Sequence, residues 1–500
     1  MIADKDLVSI QQARILAENA AEGQKKLAAF TQEKLDDIVS ALAAEMSGHA
    51  RMLAELSYEE TDYGRWEDKL VKNRFVCRNV YEQLLDMQCV GVIHDDPTRR
   101  VLDIGVPVGV IVALPPVTSP VSTTIFKTLL AIKSGNAIIF SPHPRAEKSI
   151  RTALDIMIAK AESCGLPQGC LSYLGTVSKS GTLELMNHSA CSLILISGVP
   201  GMYRPALASG KPIIYGGAGN GPAFIERSAD IRQAVRDIIQ SKTFDNGMAS
   251  SAEHSIVVDA SIASEVKRTL QEHGAYFMTD EESASFAEHF FHPDGRCKKN
   301  MVGQSAAVLA QRAGIPAPRD VSLLVAERKY VCETDPYSRG FFAPVLAYYV
   351  EDDWEHACEK CIELLLHERN AHSLVIHSGN EDVIMQFALK KPVGRLLVNT
   401  PAVFGGMGAT TNLFPSLTLG SGSAGFGITS DNVSPMNLVY IRKVGYGVRM
   451  PDFLSCGADS AAQPGSENKQ PNLGSDSRKL GALHKILTEA IEALDRPSGK

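Results

Sequence analysis

The sequence predicts an α/β protein with parallel sheets, and three observations support that prediction. The spacing of apolar residues changes near residue 101, from the three-and-four spacing of helices to short, continuous, β-branched runs. Those runs then alternate with segments of helical length and pattern, as they do in sheets with crossover helices. The chain also has 500 residues, of which 44% are hydrophobic, enough for two or three domains with sizeable cores.

Residues 1–90 are predicted to form helices. Leu7, Ile10 and Ile15 begin the pattern, and the stretch TQEKLDDIVSALAAEM continues it with apolar residues three and four positions apart. Thr31, at the front of that stretch, is typical of a helix start because its hydroxyl can accept a hydrogen bond from the first helical turn.

Strands and helices alternate from residue 101 onward. Four apolar segments predict strands: VLDIGVPVGVIVALPP, NAIIFSPHPRA, LILISG and PIIYGGAG. Two segments predict helices that end at glycine, SPVSTTIFKTLLAIKSG and RTALDIMIAKAESCG, and the first has proline in its first turn. This alternation gives βαβ units with right-handed crossovers, so ligands are expected at the carboxyl ends of the strands.

A second α/β domain is predicted after residue 250. The alternation continues there more loosely, with SIVVD, HSLVIHS and GRLLVNT as strands. The stretch KTFDNGMASSAEHSIVVD connects a helix to the first of these strands through a turn of small polar residues around Ser250. Such a turn is expected in a cleft between the two domains, where it can present a nucleophile.

Neither nucleic-acid binding nor membrane insertion is indicated by the composition. The formal net charge is −7, and no apolar run approaches the roughly 18 residues of a membrane span. The amino-terminal segment lacks the features of a secretion signal. The ten cysteines have no framework spacing, so we expect reduced thiols in a cytoplasmic protein.

One cluster has metal-like residue types, namely His356, Cys358 and Cys361 in WEHACEKC. The two cysteines lie about one helical turn apart. A zinc site needs four ligands, usually from two separated pairs, and the sequence offers no second pair. We therefore predict an ordinary amphipathic helix with half-buried thiols, and no metal.

The composition changes at about residue 455. Residues 455–476 are rich in Gly, Ser, Pro and Asn and are predicted to be a flexible linker. Residues 477–496 then predict a short amphipathic helix. Its apolar face consists of Leu480, Leu483, Leu487, Ala490, Ile491 and Leu494. That helix either docks on its own protein or binds a separate partner.

Glycine-rich segments lie beside several predicted strands, at 198–201, 216–222 and 404–427. None has the spacing of a Walker loop or of the dinucleotide fingerprint. Together with FTQEKLDDI, STTIFKTLLAIKSGNAIIFSPHPRA, SKTFDNGM, NTPAVFGGMG and PSLTLGSGS, however, they resemble the CoA-acylating branch of the aldehyde dehydrogenase superfamily. The chain is similar, over about residues 30–445, to the aldehyde dehydrogenase half of bifunctional aldehyde–alcohol dehydrogenases and to acylating enzymes of bacterial microcompartments.

The resemblance implies the aldehyde dehydrogenase fold. It implies a Rossmann-like NAD-binding domain over 1–240, a catalytic domain over 241–430 and a small β arm from strands near 101–113 and within 431–450. Because that arm pairs subunits, a homo-oligomer, dimer or larger, is expected. The implied reaction converts a short-chain aldehyde, coenzyme A and NAD (or NADP) into acyl-CoA and the reduced dinucleotide. A cysteine thiolate carries the acyl group as a labile thioester.

The resemblance also implies site residues. Ser250 occupies the cysteine position, Ser119 that of an asparagine that donates to the developing oxyanion, and His372 that of a histidine beside the CoA and aldehyde channel. The residues implied at the dinucleotide are Ser141, His143, Gly198, Gly201, Gly217 and Gly340. Lys127 either meets phosphate or ribose near a strand end or lies on a helix surface.

Three of these positions depart from the family pattern. A serine hydroxyl at Ser250 is hardly ionised at neutral pH without a general base, and the resemblance implies no histidine dedicated to it. Ser119 is a shorter donor than asparagine, and losing an oxyanion donor costs about 10²–10³ in rate. Gly340 stands where the family has a glutamate that hydrogen-bonds the nicotinamide ribose.

The sequence leaves three hypotheses on function. The chain is a working NAD- and CoA-dependent aldehyde dehydrogenase, a non-catalytic homologue that binds ligands or assembles with other proteins, or an esterase that uses Ser250 with His254 or His372. The helix at 477–496 resembles the encapsulation peptides of bacterial microcompartments. This implies a shell or partner enzyme as its binding partner and a location inside such a compartment.

Overall fold

The amino-terminal part of the chain is helical. A computed structural model describes residues 4–217, 219–293, 297–369, 372–422, 425 and 427–449. The first helices are α1 (Lys5–Leu27), α2 (Gln32–Thr61), α3 (Trp66–Phe75) and, after a π-helical turn, α4 (Tyr81–Leu84). The hydroxyl of Thr31 caps α2 by accepting a hydrogen bond from the backbone N–H of Lys34 at 3.4 Å. The predicted helix start is therefore confirmed.

Three antiparallel strands form a small sheet of their own. They are β1 (Gly91–Asp96), β2 (Val101–Pro107) and the last strand of the described chain, β15 (Val439–Gly445). The strand β2 is central and pairs with the other two. Most side chains of β15 are exposed, including Tyr440 and Ile441. An exposed sheet with free outer edges is suited to pairing with another chain.

The second sheet has five parallel strands in the order β5-β4-β3-β6-β7. Its strands are β3 (Val110–Leu114), β4 (Ala137–Phe140), β5 (Leu171–Tyr173), β6 (Cys191–Ser197) and β7 (Ile213–Gly216). The helices between them are α5 (Pro120–Lys133), α6 (Glu147–Ser163), α7 (Lys179–Asn187) and α8 (Pro200–Ala208). The strand order reverses between β3 and β6, and a crevice forms at such a switch point, outside the carboxyl ends of the strands.

The third sheet has seven parallel strands in the order β10-β11-β12-β9-β8-β13-β14. Its strands are β8 (Gly221–Ile225), β9 (Glu253–Asp259), β10 (Ala275–Met278), β11 (Leu323–Glu327), β12 (Val345–Glu351), β13 (Ser373–His377) and β14 (Arg395–Val398). The accompanying helices are α9 (Ile231–Thr243), α10 (Ala263–Glu272), α11 (Asp280–Phe290), α12 (Ala306–Ala313), α13 (Trp354–Glu368), α14 (Glu381–Lys390) and α15 (Ala402–Gly406). The predicted α/β class with parallel sheets is therefore confirmed.

The sheets divide the chain at other positions than the sequence predicts. The change from the five-stranded to the seven-stranded sheet falls between β7 and β8, so β8 belongs to the seven-stranded sheet and α9 packs on it, although both begin within 1–240. Of the range 101–113, only β2 lies in the small sheet, because β3 is the central strand of the five-stranded sheet. All these elements belong to one compact unit, Met1–Gly445.

Lys127 is a buried residue of α5 and does not lie on a helix surface. Its ammonium donates to the backbone carbonyls of Leu114 and Leu195, each at 2.9 Å. Burial lowers the pKa of Lys127 well below its usual value. Lys127 therefore donates to two strand carbonyls and not to the phosphate or ribose expected as its partner.

The segment with metal-like residue types has the predicted helical form, within α13. Cys358 and Cys361 are buried, while His356 is exposed and its Nδ1 lies 2.9 Å from the carboxylate of Asp353. Within the described ranges, no group of three or more metal-ligating side chains occurs. Nor does any described helix have the length and apolar character needed to cross a membrane. The predicted linker and amphipathic helix, 455–496, lie outside the described residues.

Candidate active site

The turn before Ser250 has an unusual backbone. After α9 ends, Asp245, Asn246 and Gly247 have φ angles of 49°, 53° and 72°. Asp and Asn are the non-glycine residues that best tolerate this left-handed region, which explains the residue choice in the string FDNG. The chain then passes through Met248 and Ala249 to Ser250 before β9 begins.

Asp245 anchors that turn to the amino-terminal helices. Its Oδ1 accepts a hydrogen bond from the backbone N–H of Arg65 at 2.7 Å. Its Oδ2 accepts from the ammonium groups of Lys72 and Lys69, at 2.5 and 3.3 Å. The Asp245 side chain is fully buried and the two lysine side chains nearly so. A buried carboxylate is stable only when its charge is compensated in this way.

Lys72 also reaches a second residue of the candidate site. Its Nζ lies 2.8 Å from the Oγ of Ser119, the residue directly before α5. The same ammonium therefore joins the turn that carries Ser250 to the position of the implied oxyanion donor. Burial lowers the pKa of the neighbouring Lys69 to about 8, although the charge of Asp245 opposes that shift.

Ser250 contacts a histidine. The Nε2 of His372 lies 3.2 Å from the Oγ of Ser250, and its Nδ1 lies 2.8 Å from the Oγ of Ser373. Arg395 donates to the backbone carbonyl of His372 at 2.8 Å. Burial, with the charge of Arg395, lowers the pKa of His372 to about 3, so its imidazole is neutral at neutral pH. Ser250 thus has a histidine neighbour, the one that the sequence places beside the CoA and aldehyde channel, although the resemblance implies no histidine dedicated to it as a base.

His254, the other histidine considered as a base, does not share that contact. It lies in β9, is fully buried, and neither ring nitrogen has a hydrogen-bond partner among the described residues. Its ring packs instead beside Gly340: a Cβ at residue 340 would lie 3.1 Å from Nδ1 of His254 and 2.9 Å from the carbonyl oxygen of Gly219. Gly340 is therefore the residue that fits, because any side chain there would collide.

Ser119 and Ser250 line one cavity of about 290 Å³ between the two larger sheets. The wall includes Lys72, Phe244 and Phe342, and on the side of the five-stranded sheet Ser197 and Gly198. Ser197 ends β6, so the cavity reaches the carboxyl edge at which nucleotides bind in open parallel sheets. The cavity thus brings together the hydroxyl of Ser250, the hydroxyl of Ser119 that Lys72 contacts, and the groove at the end of β6.

The residues implied at the dinucleotide divide into two groups. His143, Gly198 and Gly217 line the cavity, and burial with the charge of Arg145 lowers the pKa of His143 to about 4. The Oγ of Ser141 lies 2.8 Å from the hydroxyl oxygen of Thr182. Gly201 and Gly340 are not among the residues that line this cavity.

Sequence reasoning missed Lys72 and Asp245. Lysines of an amphipathic helix are normally solvent-exposed, and α3 buries both Lys69 and Lys72 only because Asp245 lies opposite. The available signal was the string FDNG itself. Its aspartate lies in the turn before Ser250, and a buried carboxylate needs a partner for its charge.

Comparisons with known proteins match most of the chain to one protein family. The sequence model described as the aldehyde dehydrogenase family matches residues 2–283. The chain is 36% identical over 438 residues to the bifunctional aldehyde-alcohol dehydrogenase AdhE of Escherichia coli (strain K12), a match that covers 87% of this chain and 49% of that protein. The chain thus spans about half the length of the bifunctional curated relatives that it matches.

Two solved structures share the fold along most of the chain. One is an acetylating aldehyde dehydrogenase from Geobacillus thermoglucosidasius, with 42% identity and a TM-score of 0.86 over 90% of this chain and 100% of that one. The other is a propionaldehyde dehydrogenase from the Clostridium phytofermentans fucose utilisation bacterial microcompartment, with 28% identity and a TM-score of 0.78 over 86% and 96%.

Proposed function

The chain belongs to the aldehyde dehydrogenase family, and on that premise we propose that it is a CoA-acylating member whose nucleophile is replaced by Ser250. In this proposal the cavity binds a short-chain aldehyde or the acyl group of an acyl-CoA. The protein keeps the binding site of the class, but turnover is strongly reduced. The implied fold is confirmed by the similarity to solved acylating enzymes.

The observation that carries the proposal is the cavity lined jointly by Ser250, Ser119 and the strand-end residues Ser197 and Gly198. Oxidation of an aldehyde requires the carbonyl carbon to lie beside both a nucleophile and a hydride acceptor. A cavity that spans the nucleophile turn and the carboxyl edge of the five-stranded sheet meets that requirement.

The balanced reaction of the class is aldehyde, CoA and NAD⁺ giving acyl-CoA, NADH and a proton. NAD, when bound, supplies the hydride acceptor. Ser119 holds the carbonyl oxygen in this proposal, and Ser250 lies at the position that would carry the acyl group. His372 is neutral and lies within hydrogen-bond distance of Ser250, so it positions that hydroxyl.

Reduced turnover follows from the chemistry of Ser250. A hydroxyl attacks a carbonyl well only when a base removes its proton. With a pKa of about 3, His372 cannot hold that proton near neutral pH. An ester on serine would also transfer its acyl group to CoA less readily than the thioester of the family.

The groove for the dinucleotide fits in part. Gly198 has a φ of 61° and lies open to the cavity, so the backbone at the end of β6 can approach a pyrophosphate closely. At the nicotinamide end, Gly340 offers no carboxylate for the ribose. We therefore propose that the adenosine and pyrophosphate part is held by the residues near Gly198 and Gly217, and that nicotinamide is held weakly.

Titration calorimetry with CoA, NAD and NADP tests this binding function. We expect CoA and one dinucleotide to bind the unmodified chain, and Gly198→Val to weaken dinucleotide binding by at least about tenfold, because a branched side chain is strained at this φ and fills the groove. Gly48→Ala is the matched control, since it lies in α2 with open space around it. Absence of binding by all three ligands at millimolar concentration would contradict the proposal.

A second candidate function is a serine esterase, which the contact between Ser250 and His372 favours. Among the described residues the geometry lacks the third group of a triad, because His372 Nδ1 contacts the hydroxyl of Ser373 and no carboxylate. We expect a fluorophosphonate probe to leave Ser250 unlabelled under conditions that label an active serine hydrolase completely. Labelling that disappears in Ser250→Ala would instead support the esterase.

Two observations support a proposal on assembly, namely the exposed strands of the small sheet and the similarity to an enzyme of a bacterial microcompartment. The exposed strands β15 and β1 are offered as the subunit-pairing arm of a homo-oligomer, in keeping with the family resemblance. One similar structure is an enzyme of a bacterial microcompartment. We propose the same location for this chain, with residues 477–496 as the element that contacts the shell or a partner enzyme.

A further inference from the structure

We propose that Lys72 and Ser119 act together as one hydrogen-bond donor to the carbonyl oxygen of the substrate. Ser119 would touch that oxygen, and Lys72 would act through Ser119 as a positioning residue. This inference rests on the proposed function, because it concerns the acyl group bound in the same cavity. It assigns a role to a lysine that the family resemblance did not provide.

The first step of the argument is the direction of the hydrogen bond between the two side chains. An ammonium has three donors and no acceptor, so at 2.8 Å Lys72 must donate to the oxygen of Ser119. Ser119 makes no other side-chain hydrogen bond among the described residues, and its hydroxyl does not cap α5. Its own hydrogen is therefore available, and Ser119 lines the cavity into which it can donate.

The second step concerns the charge of Lys72. A lysine beside a serine can also be a base, as in Ser-Lys nucleophiles. Here the buried carboxylate of Asp245, which has no hydrogen to donate, accepts a hydrogen bond from Lys72 at 2.5 Å. Lys72 is consequently a donor and not a base, and Ser119 is not an activated nucleophile.

The third step is the strength of the resulting donor. A hydroxyl whose oxygen accepts a hydrogen bond from a cation is polarised and donates more strongly than an isolated serine. Both residues are held in place, since Lys72 is pinned by Asp245 and Ser119 leads directly into α5. A preorganised donor of this kind compensates for the asparagine amide that the family has at residue 119.

Acyl transfer onto a cysteine at residue 250 is the partial reaction that isolates this effect. In a Ser250→Cys chain the thiolate attacks the carbonyl carbon of acetyl-CoA, and the carbonyl oxygen becomes an oxyanion that accepts from Ser119. The carbon–sulfur bond to CoA then breaks and CoA thiolate leaves with the electron pair. No hydride acceptor takes part, and the product is detected by intact-protein mass.

The rate of this acylation should respond to Lys72 and Ser119 in the same way. In the Ser250→Cys chain we expect Lys72→Met and Ser119→Ala each to slow acylation by about 10- to 100-fold, and the double variant to be little slower than either. Lys72→Arg, which keeps charge and donors, should retain most of the rate. Lys72→Met should have little effect once Ser119→Asn supplies an amide.

Lys69→Met is the matched control. Lys69 also donates to Asp245 and to the backbone carbonyl of Thr118, each at 3.3 Å, but does not contact Ser119. The Lys69→Met substitution should therefore lower stability without slowing acylation. Isotope-edited infrared spectra of the acyl-enzyme give a second readout: the carbonyl stretch should rise in Lys72→Met and stay unchanged in Lys69→Met.

Two outcomes would overturn the inference. Equal slowing by Lys69→Met and Lys72→Met, with no rescue by Ser119→Asn, would mean that Lys72 only anchors the turn. An unshifted carbonyl stretch in Lys72→Met would mean that Ser119 does not donate through it. If the Ser250→Cys chain itself is never acylated, the proposed function fails and the inference fails with it, a result distinct from the other two.

Discussion

Replacing Ser250 with cysteine is expected to raise acyl-enzyme formation and CoA-dependent NADH production by at least about 100-fold over the unmodified chain. A thiol is partly ionised near neutral pH and is a strong nucleophile, whereas the serine hydroxyl is not. The Nε2 of His372 lies 3.2 Å from the Oγ of Ser250, so a side chain of similar size at residue 250 keeps a hydrogen-bond partner that positions it. Intact-protein mass after incubation with acetyl-CoA, and NADH absorbance with acetaldehyde, measure the two effects.

Ser251→Cys is the control for this experiment. Ser251 also lines the cavity and is buried one residue further along the chain. A thiol there should give neither product, because the approach to the carbonyl depends on the turn that presents residue 250. Acylation at residue 251 as fast as at 250 would show that any thiol in the cavity reacts. Acylation of the Ser250→Cys chain without NADH production would assign the remaining defect to the nicotinamide end, for which the resemblance implies Gly340.

Replacing Asp245 with asparagine is expected to lower the free energy of unfolding by about 3–5 kcal/mol, because it removes one partner of a buried ion pair. The amide keeps the size of the carboxylate but removes the buried ion pairs of Lys69 and Lys72, which leaves Asp68 as their neighbouring opposite charge. Urea denaturation at neutral pH measures the change. A loss below about 1 kcal/mol would contradict the role of Asp245 as the anchor of the turn.

The control and the pH dependence sharpen this test. Glu55→Gln breaks the ion pair of Glu55 with Arg51, 2.8 Å apart on the surface of α2, and should change stability by only about 0.5 kcal/mol. A lysine with a lowered pKa loses its proton in the fold before the unfolded chain does. The charge of Asp245 raises the pKa of Lys69 in the fold, so that pKa falls further below about 8 in Asp245→Asn, and the part of the loss that Lys69 carries should shrink as pH rises towards about 8.

The class of fold follows from the sequence because buried parallel strands are continuous apolar runs. The strands β3 and β6 are such runs, and α5 has proline at its start, so these elements are predicted well. The strands β10 and β11 have only four and five residues and were not singled out. Which strands pair with each other is harder still to predict. The strand β8 follows β7 closely along the chain but joins the seven-stranded sheet, and no local sequence pattern indicates this.

The sequence predicts candidate positions for the site, and it offers His254 and His372 as alternative partners of Ser250 without deciding between them. Ser250, Ser119 and His372 follow from the family strings. The contact of Ser250 with His372 joins residues 122 positions apart, and that of Lys72 with Asp245 joins residues 173 apart. Such contacts depend on the packing of two sheets and a helix, and spacing along the chain carries no information about them.

The packing of Gly340 against His254 also limits which substitutions the protein can accept one at a time. A glutamate introduced alone at residue 340 would meet the ring of His254 and the carbonyl oxygen of Gly219 within about 3 Å. His254 must therefore become smaller first, and the backbone at Gly219 must also shift. Substitutions at residues 340 and 254 are therefore expected to be non-additive, because the cost of a side chain at residue 340 depends on the size of the side chain at residue 254.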